Sequence, residues 1–172
     1  VVRRALTDVR VKGAGERYLI QHSAGSGKSN SIAWLSHQLI AALHDGKEAF
    51  DSVIVITDRR ILDDQIQTTI KGFMQVKHTV GHAERSGDLR RFIEEGKKII
   101  ITTVQKFPFI LDEIATEGGK TFAIVIDEAQ NLNRSALEEL RMFTNINSGT
   151  DELLQVVLVG LPELREMVLR PA

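Results

Sequence analysis

Short apolar runs alternate with stretches in which apolar residues recur every three or four positions, along almost the whole chain. Tyr18 to Ile20, Ser52-Val53-Ile54-Val55-Ile56, Lys98-Ile99-Ile100-Ile101-Thr102-Thr103, Phe122-Ala123-Ile124-Val125-Ile126 and Leu153 to Val159 predict buried strands, and His78 to Val80 a further short one. Ile32, Leu35, Leu39 and Leu43 keep helical spacing, with Asp45-Gly46 as the stop. Leu62, Ile66, Ile70 and Phe73 mark a second helix, which Thr57 or Asp58 can cap. Ser86 to Glu95 predicts a short helix ended by Gly96, and Pro108 suits the first turn of another. Ser135-Ala136-Leu137-Glu138 reads as a capping box for a helix with Leu137, Leu140 and Phe143 inward, and a last short helix runs from Pro162 to Pro171. Residues 1–16, with Arg3, Arg4 and Arg10 around Val9 and Val11, predict a frayed helix and a turn. Strands alternating with helices call for a mainly parallel α/β sheet covered on both faces, with ligands at the carboxyl ends of its strands.

The polar clusters fall at those ends. After the first strand comes Gln21-His22-Ser23-Ala24-Gly25-Ser26-Gly27-Lys28-Ser29, then a helix. Gly25 and Gly27 let backbone N–H groups curl round an anion. The helix N-terminus adds partial positive charge, Lys28 a full one, and Ser29 a hydroxyl for Mg²⁺. Ser23, Ala24, Gly25, Ser26, Gly27, Lys28 and Ser29 are therefore candidate nucleotide-binding residues. His22 stands where the formal pattern has its first glycine, so the match is to the Gly-Ser-Gly-Lys-Ser core.

Asp127 ends a buried strand, the setting of an aspartate that holds Mg²⁺ together with Ser29, and Glu128 beside it can orient or deprotonate an attacking water. Taken alone, the pair would equally cap the next helix. Gln130 suits a relay to the last strand end at Gly160 and Leu161, or a solvated helix start. Thr57, Arg59, Arg60, Thr102 and Thr103 offer hydroxyls and positive charge of the kind that bind nucleic-acid phosphates, or else cap helices.

Composition narrows the classes further. At 172 residues the chain suits a single domain with a real core. There is no cysteine, which excludes disulfides and thiolate metal sites and agrees with a cytoplasmic location. The five histidines show no ligand spacing. No apolar run matches a transmembrane helix, and no signal peptide is expected before the first strand. The net charge of −1 hides 17 basic against 12 acidic residues in 1–106, and 5 against 11 in 107–172. A basic first part could face nucleic acid, although such a difference is also ordinary surface.

Residues from about Tyr18 to Glu128 resemble the motor domain of type I restriction enzyme R (HsdR) subunits, DNA translocases of helicase superfamily two. The likeness lies in residues 21–35, in Phe50-Asp51-Ser52-Val53-Ile54-Val55-Ile56-Thr57-Asp58-Arg59-Arg60, in Ile101-Thr102-Thr103-Val104-Gln105-Lys106-Phe107-Pro108-Phe109 and in Phe122 to Ala129. It implies a RecA-like P-loop NTPase with Walker A and Walker B motifs. Lys28 and Ser29 would bind ATP and Mg²⁺, Asp127 and Glu128 would drive hydrolysis, and Thr57 to Arg60 with Thr102 and Thr103 would touch the backbone of duplex DNA. Other restriction-modification subunits are the implied partners.

After Asp127 the pattern departs. That family's box would carry His where Gln130 stands, and a Ser/Thr-type coupling motif at 159–162. The tail, in Asp127-Glu128-Ala129-Gln130-Asn131-Leu132, Leu137-Glu138-Glu139-Leu140-Arg141 and residues 154–165, is similar instead to ExeA-type (general secretion pathway A) AAA ATPases. In that family the last strand end senses the γ-phosphate with a polar residue where this chain has Leu161. The expectation is one RecA-like ATPase domain over 1–172, with 1–16 as lead-in, truncated relative to a full motor and without a nuclease domain. An ExeA-like ATPase of a secretion or assembly machine, and a non-catalytic nucleotide-binding module, are the alternatives.

Overall fold

The computed structural model describes residues 2–23, 26–58, 66, 68–70, 72, 80–85, 87–116, 119–145 and 154–169. Its strands are β1 (Arg17–Gln21), the short pair β2 (Leu43–His44) and β3 (Lys47–Glu48), β4 (Ser52–Thr57), β5 (Val80–His82), β6 (Ile99–Thr103), β7 (Phe122–Ile126) and β8 (Leu154–Gly160). The helices are α1 (Val2–Lys12), α2 (Lys28–Ile40), α3 (Asp88–Glu94), α4 (Phe107–Thr116), α5 (Arg134–Asn145) and α6 (Glu163–Leu169). Six strands form one sheet in the order β1-β8-β7-β4-β6-β5. Every pairing in it is parallel.

The apolar runs are continuous because both faces of the sheet are covered. Along β4, Val53 and Val55 point to the layer that holds Ile32, Leu35 and Leu39 of α2. Ile54 and Ile56 point to the opposite layer, with Leu89, Ile93, Ile110, Leu140 and Leu164 of the other helices. The register sets Gln21 beside Gly160, Leu158 beside Ile126 and Thr57 beside Thr103. The six strands of the parallel sheet therefore finish towards one rim.

Several local expectations are corrected. Residues 2–12 form a continuous helix with Ala5 and Val9 fully buried, because packing against α2 supplies what local propensity lacks. Helix α2 stops at Ile40, and Asp45-Gly46 (φ 50° and 76°) turns the β2–β3 hairpin instead of ending a helix. Leu43, assigned to the helix by its spacing, lies in that hairpin and is half exposed. The cap of α5 is Asn133, whose Oδ1 accepts the Ala136 N–H at 2.7 Å; Ser135 lies one residue inside the helix. The short edge strand is described over Val80–His82, and His78 and Thr79 of the expected strand lie outside the described residues. Ile66 and Ile70 are buried as the spacing demands, whereas Leu62, Phe73 and the Phe143 side chain lie outside the described ones. No described helix is long and apolar enough to cross a membrane.

One core residue works against the fold. Gln155 on β8 is fully buried, and neither its Oε1 nor its Nε2 has a hydrogen-bond partner among the described residues. Unsatisfied groups of this kind cost about 1–3 kcal/mol. Gln155→Met keeps the shape without the polar atoms. It is expected to stabilise the fold by that order, read as a higher urea unfolding midpoint at an unchanged m value; a lower midpoint would contradict the assignment.

Candidate active site

The rim of the sheet brings residues a hundred positions apart into contact. From β1 the chain passes through a turn whose described part runs from His22 to Lys28, with Ala24 and Gly25 outside the described residues. The Ser26 hydroxyl donates to the Ser23 carbonyl at 2.7 Å, and His22 Nδ1 lies 2.8 Å from the same Ser26 Oγ. Since Ser26 spends its proton on Ser23, His22 Nδ1 must carry the hydrogen in that contact. Gly27 takes a left-handed conformation (φ 76°) immediately before α2, where L side chains are strained. Lys28 and Ser29 begin the helix, both half-buried, with Ser23 and Ser26 exposed.

Lys28 points across β8 to the end of β7. Its ammonium lies 3.1 Å from Asp127 Oδ1 and donates a hydrogen bond to Glu128 Oε1. Asp127 is buried, its N–H donating to Ile56 O at 2.8 Å and its Oδ1 accepting the Glu128 N–H at 2.9 Å. Glu128 takes a left-handed backbone (φ 51°), uncommon for a side-chain-bearing residue and characteristic of sites where geometry is imposed. Gln130, in the turn after it, donates from Nε2 to Glu128 Oε2 and accepts the Leu161 N–H on Oε1 at 3.2 Å.

Burial opposes the charge on Lys28, but the hydrogen bond to Glu128 and the charge of Asp127 outweigh it and hold the ammonium above its ordinary range. Burial also dominates at Asp127 and raises its carboxyl above the usual value against the pull of Lys28. The second oxygen, Oδ2, is buried without a hydrogen-bond partner among the described residues. An anionic oxygen left open in this way suits a hard divalent cation, and Ser29 follows Lys28, whose ammonium reaches the same carboxylate.

The other candidate residues are more dispersed. Thr57 and Thr102 are buried, and their hydroxyls donate to the Thr102 carbonyl at 3.4 Å and the Ala83 carbonyl at 3.3 Å. Thr103 is half-buried, while Arg59 and Arg60 lie outside the described residues. The sequence reading missed the link from Asn131 Nδ2 to Asp58 Oδ2 at 2.8 Å, which joins the acidic turn to the end of β4. No local pattern signals it, because the two residues are far apart in the chain.

A cationic glycine turn facing a buried aspartate across an intervening strand is the arrangement of nucleotide-hydrolysing parallel sheets. The SWI2/SNF2 ATPase family model matches residues 1–162. The chain belongs to the SWI2/SNF2 ATPase family. Its fold is accordingly RecA-like, and the family to which it belongs is one of ATPases.

Among solved structures it is similar to a nuclease-deletion mutant of the Type ISP restriction-modification enzyme LlaGI in complex with a DNA substrate mimic. There the TM-score is 0.59 and the identity 16%, over 94% of this chain and 17% of that one. The UvsW helicase from bacteriophage T4 matches with a TM-score of 0.56 and 11% identity, over 85% of this chain and 47% of its own. At these identities the likeness is one of fold. General secretion pathway protein A of Aeromonas hydrophila is 42% identical over 67 residues, 38% of this chain and 12% of that protein. The SWI2/SNF2 chain thus spans less than half the length of each of these relatives.

Proposed function

We propose that this chain is the ATP-binding and hydrolysing part of a type I restriction R subunit, acting on duplex DNA in the cytoplasm alongside other restriction-modification subunits. The observation that carries the reading is the Lys28 ammonium 3.1 Å from the buried Asp127 carboxylate, with Glu128 at its other side. In that reading residues 1–172 act as one P-loop domain, with Walker A at Ser23 to Ser29 and Walker B at Asp127 and Glu128. Ser29 and Asp127 would hold Mg²⁺, which supplies charge neutralisation on the phosphates. Lys28 binds phosphate oxygens once it leaves the acids, and Glu128 accepts the proton of the attacking water.

The contact with the DNA backbone rests on the strand ends of β4 and β6. Since the Thr57 and Thr102 hydroxyls are taken up by carbonyls, Thr103 with Arg59 and Arg60 are left to carry it. The 42% identity over 67 residues with a secretion protein favours a second reading, an ATPase of a secretion or assembly machine. ATP turnover measured with and without duplex DNA separates them. Stimulation by DNA is the expected result; turnover indifferent to DNA supports the secretion reading, and nucleotide binding without turnover supports a non-catalytic module.

A further inference from the structure

The two halves of the site meet on a single peptide unit. The carbonyl of Gly160 accepts the His22 N–H at 2.9 Å, at the entry to the glycine turn. The N–H of the same peptide, on Leu161, donates to Gln130 Oε1 at 3.2 Å, and Gln130 Nε2 in turn donates to Glu128 Oε2. A peptide unit is planar and resists twisting, so its C=O and N–H turn together. Gly160 leaves no alternative at this point, because a Cβ there would meet the Gln130 side-chain oxygen and would lie 2.9 Å from Leu164 Cδ2.

We propose that the Gly160–Leu161 peptide is a strut that ties the glycine turn to Glu128, with Gln130 as the positioning residue and Gly160 required to make room for it. Gln130 spends its acceptor on the strut and its donor on Glu128. The carboxylate is thereby held at the angle set by the strand that also anchors the turn. A shift of the turn when phosphate enters is carried through the His22 N–H to the strut and on to Glu128. Gln130 itself touches neither nucleotide nor water in this scheme. The inference rests on the ATPase reading above and concerns how its general base is aimed.

A double-mutant cycle in the whole chain tests it, with nucleotide affinity from equilibrium binding of a fluorescent ATP analogue and kcat from phosphate release. Gln130→Ala is expected to lower kcat by about tenfold to a hundredfold, the scale of a misaimed catalytic group, while the nucleotide Kd stays within about threefold. Gly160→Ala should show the same split. In the Gln130→Ala background, however, the Gly160 substitution should cost much less than it does in the parent, because only the contact with Leu164 Cδ2 is left to relieve. Gln130→Met, which fills the space without the hydrogen bonds, should behave as Gln130→Ala and guards against a folding artefact.

Additive losses in the double variant, a Kd that moves in step with kcat, or full activity of Gln130→Met would each overturn the strut. A parent chain that binds no ATP at all would instead sink the ATPase reading on which the strut depends, so the two failures are distinguishable.

Discussion

ATP turnover is expected to fall roughly a thousandfold in Lys28→Ala, on the scale seen when a preorganised donor to developing charge is removed. Binding should weaken as well, because the glycine turn keeps only backbone N–H groups and the helix N-terminus for the phosphates. The same substitution has a separate signature without nucleotide. Lys28 is the cation beside a buried carboxylate whose pKa burial already raises. Without it the folded-state pKa of Asp127 rises further above the unfolded value of about 3.9. A group shifted in that direction contributes stability that is present below its unfolded pKa and lost as pH rises through its folded pKa. The Tm deficit of Lys28→Ala relative to the parent should therefore widen as pH rises from about 4, the unfolded carboxylate value, towards neutrality. Melting curves whose separation is constant across that range would show that Lys28 does not answer Asp127.

Glu128→Gln should divide binding from chemistry. Loss of a general base costs about 10²–10⁴ in rate, so hydrolysis is expected to fall by that order. Affinity for ATP should hold or tighten by a few-fold, because Glu128 engages the Lys28 ammonium in the nucleotide-free arrangement and competes with phosphate for it. Equilibrium binding and single-turnover hydrolysis on the same preparation check both halves. A variant that lost affinity and rate together would identify Glu128 as part of the nucleotide seat. The strut at Gly160–Leu161 fits the same division, since it aims Glu128 without adding a contact to nucleotide.

Much of the architecture is legible in the chain because the driving interactions are local or periodic. Ser52 to Thr57, Ile99 to Thr103 and Phe122 to Ile126 are uninterrupted β-branched or apolar segments, and a sheet covered on both faces is the arrangement that buries all of them. Gly96 takes a positive φ just past α3, where the helix was expected to stop. The errors arose where a local motif admits two solutions. Asp45-Gly46 stops a helix or turns a hairpin, and Asn133 and Ser135 both suit a cap. In each case the choice was made by distant packing, which spacing along the chain does not encode.

The sequence alone determined the alternation of strands and helices, the burial of both sheet faces and the placing of Lys28, Asp127, Glu128 and Gln130 at strand ends, since periodicity and strand termini are properties of neighbouring residues. Only the tertiary structure decided that Lys28 sits between the two acids, that Thr57 and Thr102 turn their hydroxyls inward, and that Gln130 and His22 meet on one peptide of β8. Those contacts join residues brought together by strand order and register. Both follow from how the whole core packs, and no single segment carries them.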